Sequence, residues 1–280
     1  MIFSSLALAA AAAAAQPTQP VPSARPAPRA AAAAPPSDEA LFASCAALVR
    51  REPERAVTVA NDWRIRGGGV LARQCLGLAY VALERWAPAA VVFEQAAREA
   101  ETEQRPEHAD LWVQAGNAWL AANEGAKARA AFDAALATTL LAPEMRGEVH
   151  LDRARALVAL GDLGGARTDI DKGLELVPSD PFAWYLSAAL ALRQGDLPRA
   201  RRDIAKAIGG APDDAMLLLL AGNIAGASGE EEAARDFYRR SARAAPGSDT
   251  ARAAEAALAA NGGAGSPATA TTEPAPKAPR

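Results

Sequence analysis

From Asp38 to Ala260 apolar residues return every three or four positions, as at Leu151, Ala154, Leu157 and Val158, then Leu163, Ala166, Ile170 and Leu174. That spacing lines one face of successive helices. Short breakers punctuate it at Gly161-Asp162, Pro178-Ser179-Asp180, Gly195-Asp196, Pro212-Asp213-Asp214, Gly229 and Pro246-Gly247-Ser248, where helices stop and the chain turns. No stretch alternates apolar and polar residues with β-branched side chains, so the pattern predicts an all-α body.

The breakers are themselves periodic. GDLGGARTDIDKGLELVP at 161–178 returns as GDLPRARRDIAKAIGGAP at 195–212 and, more weakly, as GEEEAARDFYRRSARAAP at 229–246, each step being 34 residues. Gly161, Gly195 and Gly229 keep register, as do Ala166, Ala200 and Ala234, and Pro178, Pro212 and Pro246. The glycines suit a left-handed turn after a helix. The alanines fall one turn into the next helix, where a small side chain lets two antiparallel helices approach. The prolines end the second helix because they cannot continue its hydrogen-bond ladder. A helix–turn–helix unit repeating at this period predicts a solenoid.

These positions resemble the tetratricopeptide repeat family. The unit at 181–214 carries Trp184, Gly195, Ala200, Ile204, Ala207 and Pro212, and that at 215–248 carries Gly222, Gly229, Ala234, Tyr238 and Pro246. Residues 147–180 offer Ala154, Gly161, Ala166, Ile170 and Pro178; 109–146 offer Trp112, Gly116, Trp119, Ala128, Phe132 and Ala135; 70–108 offer Leu76, Gly77, Tyr80, Ala89, Phe93 and Ala96. The units at 70–108 and 109–146 are longer than the rest, which predicts longer second helices or connections. A degenerate unit is expected over 38–69, with Ala56 as its small contact. The resemblance implies a right-handed superhelical α-solenoid of about six units over 38–260. A capping helix is expected at 249–260, with Ser248 or Asp249 as N-cap and Asn261-Gly262 as its stop. It also implies a concave groove lined by the first helix of each unit. The family's groove positions fall here on Gln74, Asn117, Arg155, Tyr185, Arg193 and Asn223, with Phe182 and Leu219 among apolar neighbours. The family's carboxylate-binding subset uses a Lys-Asn-Asn-Lys-Arg set. Val113 and Leu151 stand where its lysines would be, which argues against that ligand class. The partner expected is a peptide or protein segment, with solvation of the groove as the other role for these polar residues.

Composition changes the picture at the ends. Residues 1–15 hold an apolar stretch, Ile2 to Ala15, closing on Ala13-Ala14-Ala15 before Gln16, the pattern of a cleaved leader, though no Lys or Arg precedes it. Export to a periplasmic or secreted location is the expectation, with a low-complexity alanine tail as the alternative. The stretch is too short and too weakly apolar to span a bilayer. Pro- and Ala-rich residues 16–37 and Gly-, Pro- and Thr-rich residues 261–280 predict a disordered linker and tail. A net charge of −3 gives no general attraction to nucleic acid or anionic membrane.

Candidate chemistry is sparse. Cys45 and Cys75 fall on first helices of successive units; export would allow a disulfide, and two buried thiols are the other outcome. His108 and His150 lack both metal-ligand spacing and a nucleophile beside them. Arg66-Gly67-Gly68-Gly69 follows no strand and precedes no Lys, so a turn between units is expected there rather than a phosphate loop. No catalytic residue, metal or cofactor is assigned. The arginine clusters Arg199-Arg201-Arg202 and Arg239-Arg240-Arg243 fall on second helices and read as solvated charge. The expected function is a non-catalytic interaction scaffold of the bacterial envelope; the alternative is a structural protein that self-associates through its apolar edges.

Overall fold

The computed structural model describes residues 36–262. The expected leader over 1–15, and nearly all of the expected linker over 16–37 and tail over 261–280, lie outside the described residues. Those described form thirteen helices and no strand: α1 (Asp38–Val49), α2 (Pro53–Ile65), α3 (Gly69–Ala82), α4 (Trp86–Thr102), α5 (His108–Ala121), α6 (Gly125–Ala137), α7 (Pro143–Ala159), α8 (Leu163–Leu176), α9 (Pro181–Arg193), α10 (Leu197–Gly210), α11 (Ala215–Ala227), α12 (Glu231–Ala244) and α13 (Asp249–Gly262). They stack as six antiparallel pairs followed by a single helix, an α-solenoid.

Local chemistry sets the helix ends. Ser37, Asp162, Asp180, Asp196 and Asp214 each accept a backbone N–H of the helix that follows, satisfying donors that have no intrahelical partner. Ser248 does the same for α13, accepting from the Ala251 N–H at 3.0 Å. Pro178, Pro212 and Pro246 follow the ends of α8, α10 and α12 by two residues. The extra length of the second unit lies in α4, which has 17 residues. That of the third lies in the connection from α6 and the early start of α7 rather than in its second helix. The last helix also runs two residues past its expected end, through Asn261-Gly262, an extension that its alanine-rich sequence favours.

Within each unit a small residue on the first helix faces a large one on the second. A methyl placed on Gly77, Gly116 or Gly222 would enter the ring of Phe93, Phe132 or Tyr238. The fourth and fifth units use Ala154 with Ile170 and Ala188 with Ile204 in the same places. Ala166, Ala200 and Ala234 sit at the crossings, at most 1% exposed.

The first unit departs from this rule. Four residues past its contact Ala56, where the others hold Phe, Ile or Tyr, stands Ala60. There, α1 lies as closely against α3 as against its own partner α2. Cys45 and Cys75 join these two first helices in a disulfide, with Cα atoms 6.2 Å apart. Both cysteines are buried beside Trp63, Ala72 and Leu76.

The turn between the two helices of a unit needs one left-handed residue. Gly161, Gly195 and Gly229 supply it with φ of 80°, 76° and 77°, but Glu84 and Asn123 hold the same place with φ of 55° and 60°. A side chain bearing Cβ is strained there, Glu more than Asn. Glu84→Gly should therefore stabilise the protein by about 1 kcal/mol and Asn123→Gly by less, while Gly195→Ala should cost about 1 kcal/mol; thermal unfolding followed by circular dichroism measures all three. The disulfide closes a loop whose entropy is worth about 3–4 kcal/mol. Reduction should therefore lower stability by an amount of that order, with hydrogen-exchange protection lost first in α1. Protection lost evenly along the chain would refute the local role given to the bond.

Candidate functional site

The curvature of the array follows from how its helices touch. First helices meet first helices of the next unit, α1 with α3, α5 with α7, α9 with α11 and α11 with α13, and no two second helices come as close. Helices converge on the inner side of a curved stack, so first helices line the concave face and second helices the convex one.

Along the concave helices runs a strip of partly exposed apolar side chains. Leu71 and Leu78 lie on α3, Leu120 on α5, Val158 on α7, Leu192 on α9 and Leu219 on α11. Phe182 is 37% exposed and stacks on Tyr185, with ring centroids 5.7 Å apart and planes 15° from parallel. Polar groups interrupt the strip at its middle. Asn117 on α5 is exposed and hydrogen-bonds Asp152 on α7. Arg155 Nη1 donates to Asp152 Oδ1 at 2.9 Å. Burial raises the Asp152 pKa above the ordinary carboxylate value, and the Arg155 and Asn117 hydrogen bonds offset only part of that.

Of the six groove candidates, the structure brings Asn117 and Arg155 together around Asp152, a residue that sequence reasoning missed. Tyr185 joins Phe182. Asn223 accepts from Tyr238 Oη at 3.0 Å, which commits its oxygen to the packing of its own unit and leaves its N–H donors for a ligand. Gln74 is half-buried on α3, and Arg193 stands exposed in the last turn of α9. Since Arg155 is already paired, it does not present the free guanidinium that would clamp a ligand carboxylate.

The densest polar cluster lies elsewhere, between the first and second helices. Arg153 Nε and Nη2 grip Asp169 Oδ2 and Oδ1, both at 2.7 Å, and Nη1 reaches Asp133 Oδ1 on α6 at 2.7 Å. His150 Nδ1 lies 3.0 Å from Asp169 Oδ1. One repeat later Ser187 Oγ donates to Asp203 Oδ2 at 2.6 Å and accepts from Arg167 Nη1 at 2.8 Å. His150 is thus a buried partner of a carboxylate.

Asp169 and Asp203 occupy one position of the recurring segment, and their recurrence was the available signal. Within the arginine clusters, Arg202, Arg239 and Arg243 are exposed, as a solvated face would be. Three others reach the neighbouring unit: Arg199 bridges Asp203 to Asp171 of α8, Arg201 meets Glu230 at 2.5 Å, and Arg240 donates to the Pro212 carbonyl at 3.2 Å. These three are straps between units. Among the described residues, no group of three His, Cys, Asp or Glu is placed to hold a metal ion, and no helix is long and apolar enough to cross a membrane.

A family model described as tetratricopeptide repeat matches residues 76–140, 151–215 and 188–249. The architecture also matches solved structures. One, from a functional characterisation of Pseudomonas aeruginosa pilF, has a TM-score of 0.62 and 17% identity, over 79% of this chain and 97% of that one. PilW, described as a widely conserved type IV pilus biogenesis factor, gives a TM-score of 0.64 and 23% identity over 77% and 96%. YrrB, described as a repeat protein with an unusual peptide-binding site, gives 0.51 and 16% over 79% and 100%. At these identities the likeness is one of fold. Among curated proteins none matches the sequence.

Burial alone would raise the Asp169 pKa, but the Arg153 and His150 hydrogen bonds outweigh it and hold the carboxyl below its ordinary value. A depressed folded pKa adds stability above the unfolded value of about 4, which is lost as pH falls through the folded one. Asp169→Asn should cost about 2 kcal/mol at pH 7 and flatten the acid limb of the stability–pH curve below pH about 4; chemical denaturation at several pH values reads both effects.

Proposed function

Because the chain belongs to the tetratricopeptide repeat family, we propose that it is a non-catalytic scaffold of the bacterial envelope that holds an extended or helical segment of another protein along its concave face. The observation that carries this reading is the series of partly exposed apolar side chains on successive first helices, interrupted by the Asn117–Asp152–Arg155 step. An apolar lining with a few placed polar groups is the usual build of a recognition groove, the apolar part supplying affinity and the polar part register. With Arg155 neutralised by Asp152, the groove selects for apolar side chains and backbone hydrogen bonds rather than for a terminal carboxylate.

The envelope location rests on three supports. The leader-like residues 1–15 suit export. A buried disulfide belongs in an oxidising compartment. The pilF-associated structure and PilW, a pilus biogenesis factor by its description, share the fold over nearly their whole length. The first two supports are independent of each other and of the likeness.

The test is capture of envelope proteins by the full chain and by an Asn117→Ala/Phe182→Ala double variant. Both side chains are exposed, so the variant should melt with wild type while retaining at least about tenfold less of the specific partner. Equal recovery by both would remove the groove from the argument. Light scattering decides the other reading: oligomers that grow with concentration in the absence of any partner would favour a self-associating structural protein.

A further inference from the structure

The first unit carries a cleft distinct from the concave strip. Between α1 and α2 lies a cleft of about 360 Å³. In this unit the disulfide ties α1 to α3, and α1 lies as closely against α3 as against α2. What remains between the two helices is an open groove in which Leu41 and Leu48 of α1 face Val59 and Trp63 of α2.

Charge marks the two ends of this groove. Arg51 and Arg55 stand at the α1–α2 turn and Arg66 at the far end of α2, all three lining the cleft. The helix rises about 16 Å between Arg55 and Arg66. Arg55 is paired with Glu52 at 3.2 Å, whereas Arg51 and Arg66 form no ion pair among the described residues. Cations at both ends of an apolar trough lying between two helices fit a third helix of two or three turns, apolar on one face and acidic at both ends.

We infer that the α1–α2 cleft docks an acidic amphipathic helix of another protein. The chain's own segments have the wrong charge. Residues 1–37 contain no Asp or Glu and carry Arg25 and Arg29, and residues 263–280 set one Glu273 against Lys277 and Arg280. A second copy of the chain, docked symmetrically through this cleft, would bring arginine rim against arginine rim, which like-charge repulsion opposes.

The experiment uses the full chain and a fluorescein-labelled, amidated peptide of about three helical turns, with leucines at i, i+3, i+4 and i+7 and two glutamates at each end. Fluorescence anisotropy measures its affinity for wild type, for Arg51→Glu/Arg66→Glu and for Val59→Asp. These three side chains are exposed, so circular dichroism melting should show all variants folded. Each variant is expected to weaken binding at least about tenfold, and a peptide with lysines in place of the glutamates should bind at least about tenfold more weakly to wild type. Equal affinity for wild type and both variants, equal affinity of the two peptides, or no binding to wild type would each overturn the assignment. So would a dimer of the chain alone that Val59→Asp abolishes, since it would give the cleft to a second copy.

Discussion

Where Gly77 meets Phe93, Gly116 meets Phe132 and Gly222 meets Tyr238, the side chain missing from one helix is replaced by a ring from its partner. Ala154 with Ile170 and Ala188 with Ile204 divide similar space less unequally. Cores tolerate such exchanges when total volume is kept, and here the conserved volume fixes how far apart the two helices of a unit stand. A constant separation lets each unit present the same surface to the next, and five such units therefore stack with one sense of curvature. The concave strip draws on that regularity: Leu120, Val158 and Leu192 stand four residues past the small contact of their own first helices, while Leu71 and Leu219 come from other positions of theirs.

Polar ties hold the same geometry at greater cost. Asp169 is 2% exposed, and Asp203 5%. Burying a carboxylate is expensive unless donors surround it, and Arg153, His150, Ser187 and Arg199 do so. Arg153 also reaches back to Asp133 on α6, and Arg199 to Asp171 on α8. Each buried pair thus extends outward into a link with the preceding unit. Isolated surface ion pairs contribute little; these are anchored at one end by a buried partner, which limits the side-chain entropy lost in forming them. Their geometric demand is strict, so they specify the register between units as well as stabilising it.

The parts of this structure legible in the sequence are those in which one residue type has one conformational consequence. Gly161, Gly195 and Gly229 announced the turn because glycine is the residue that adopts its left-handed backbone freely. Glu84 and Asn123 occupy the same turn and were silent, because Glu does not signal that conformation and a lone Asn signals it far less strongly than Gly. Pro178, Pro212 and Pro246 marked helix ends for an equally local reason. In contrast, Arg199 looked like surface charge, since its meaning depends on Asp171, twenty-eight positions away. The pairing of Cys45 with Cys75 was undecidable from spacing alone, because it depends on how α1 leans. At the groove, Asn117 and Arg155 could be named from the resemblance, but Asp152, which joins them and neutralises Arg155, could not.

The first unit shows what happens when the packing rule is relaxed. With Ala60 in place of a large side chain, fewer atoms meet at that position than in the other units and less dispersion is gained there, although Ala60 itself is fully buried. A covalent bond compensates, and it acts in a different direction: it ties α1 to the neighbouring first helix, not to its own partner. Edge units of a solenoid are stabilised from one side only, so a bond to the next unit secures the end of the array more directly than a better-filled core would. The cleft lined by Val59 and Trp63 lies between α1 and α2 of this same unit. A unit held by its neighbour through a covalent bond can depart from the packing rule without unravelling, and that freedom separates its surface from the surfaces of the five units behind it.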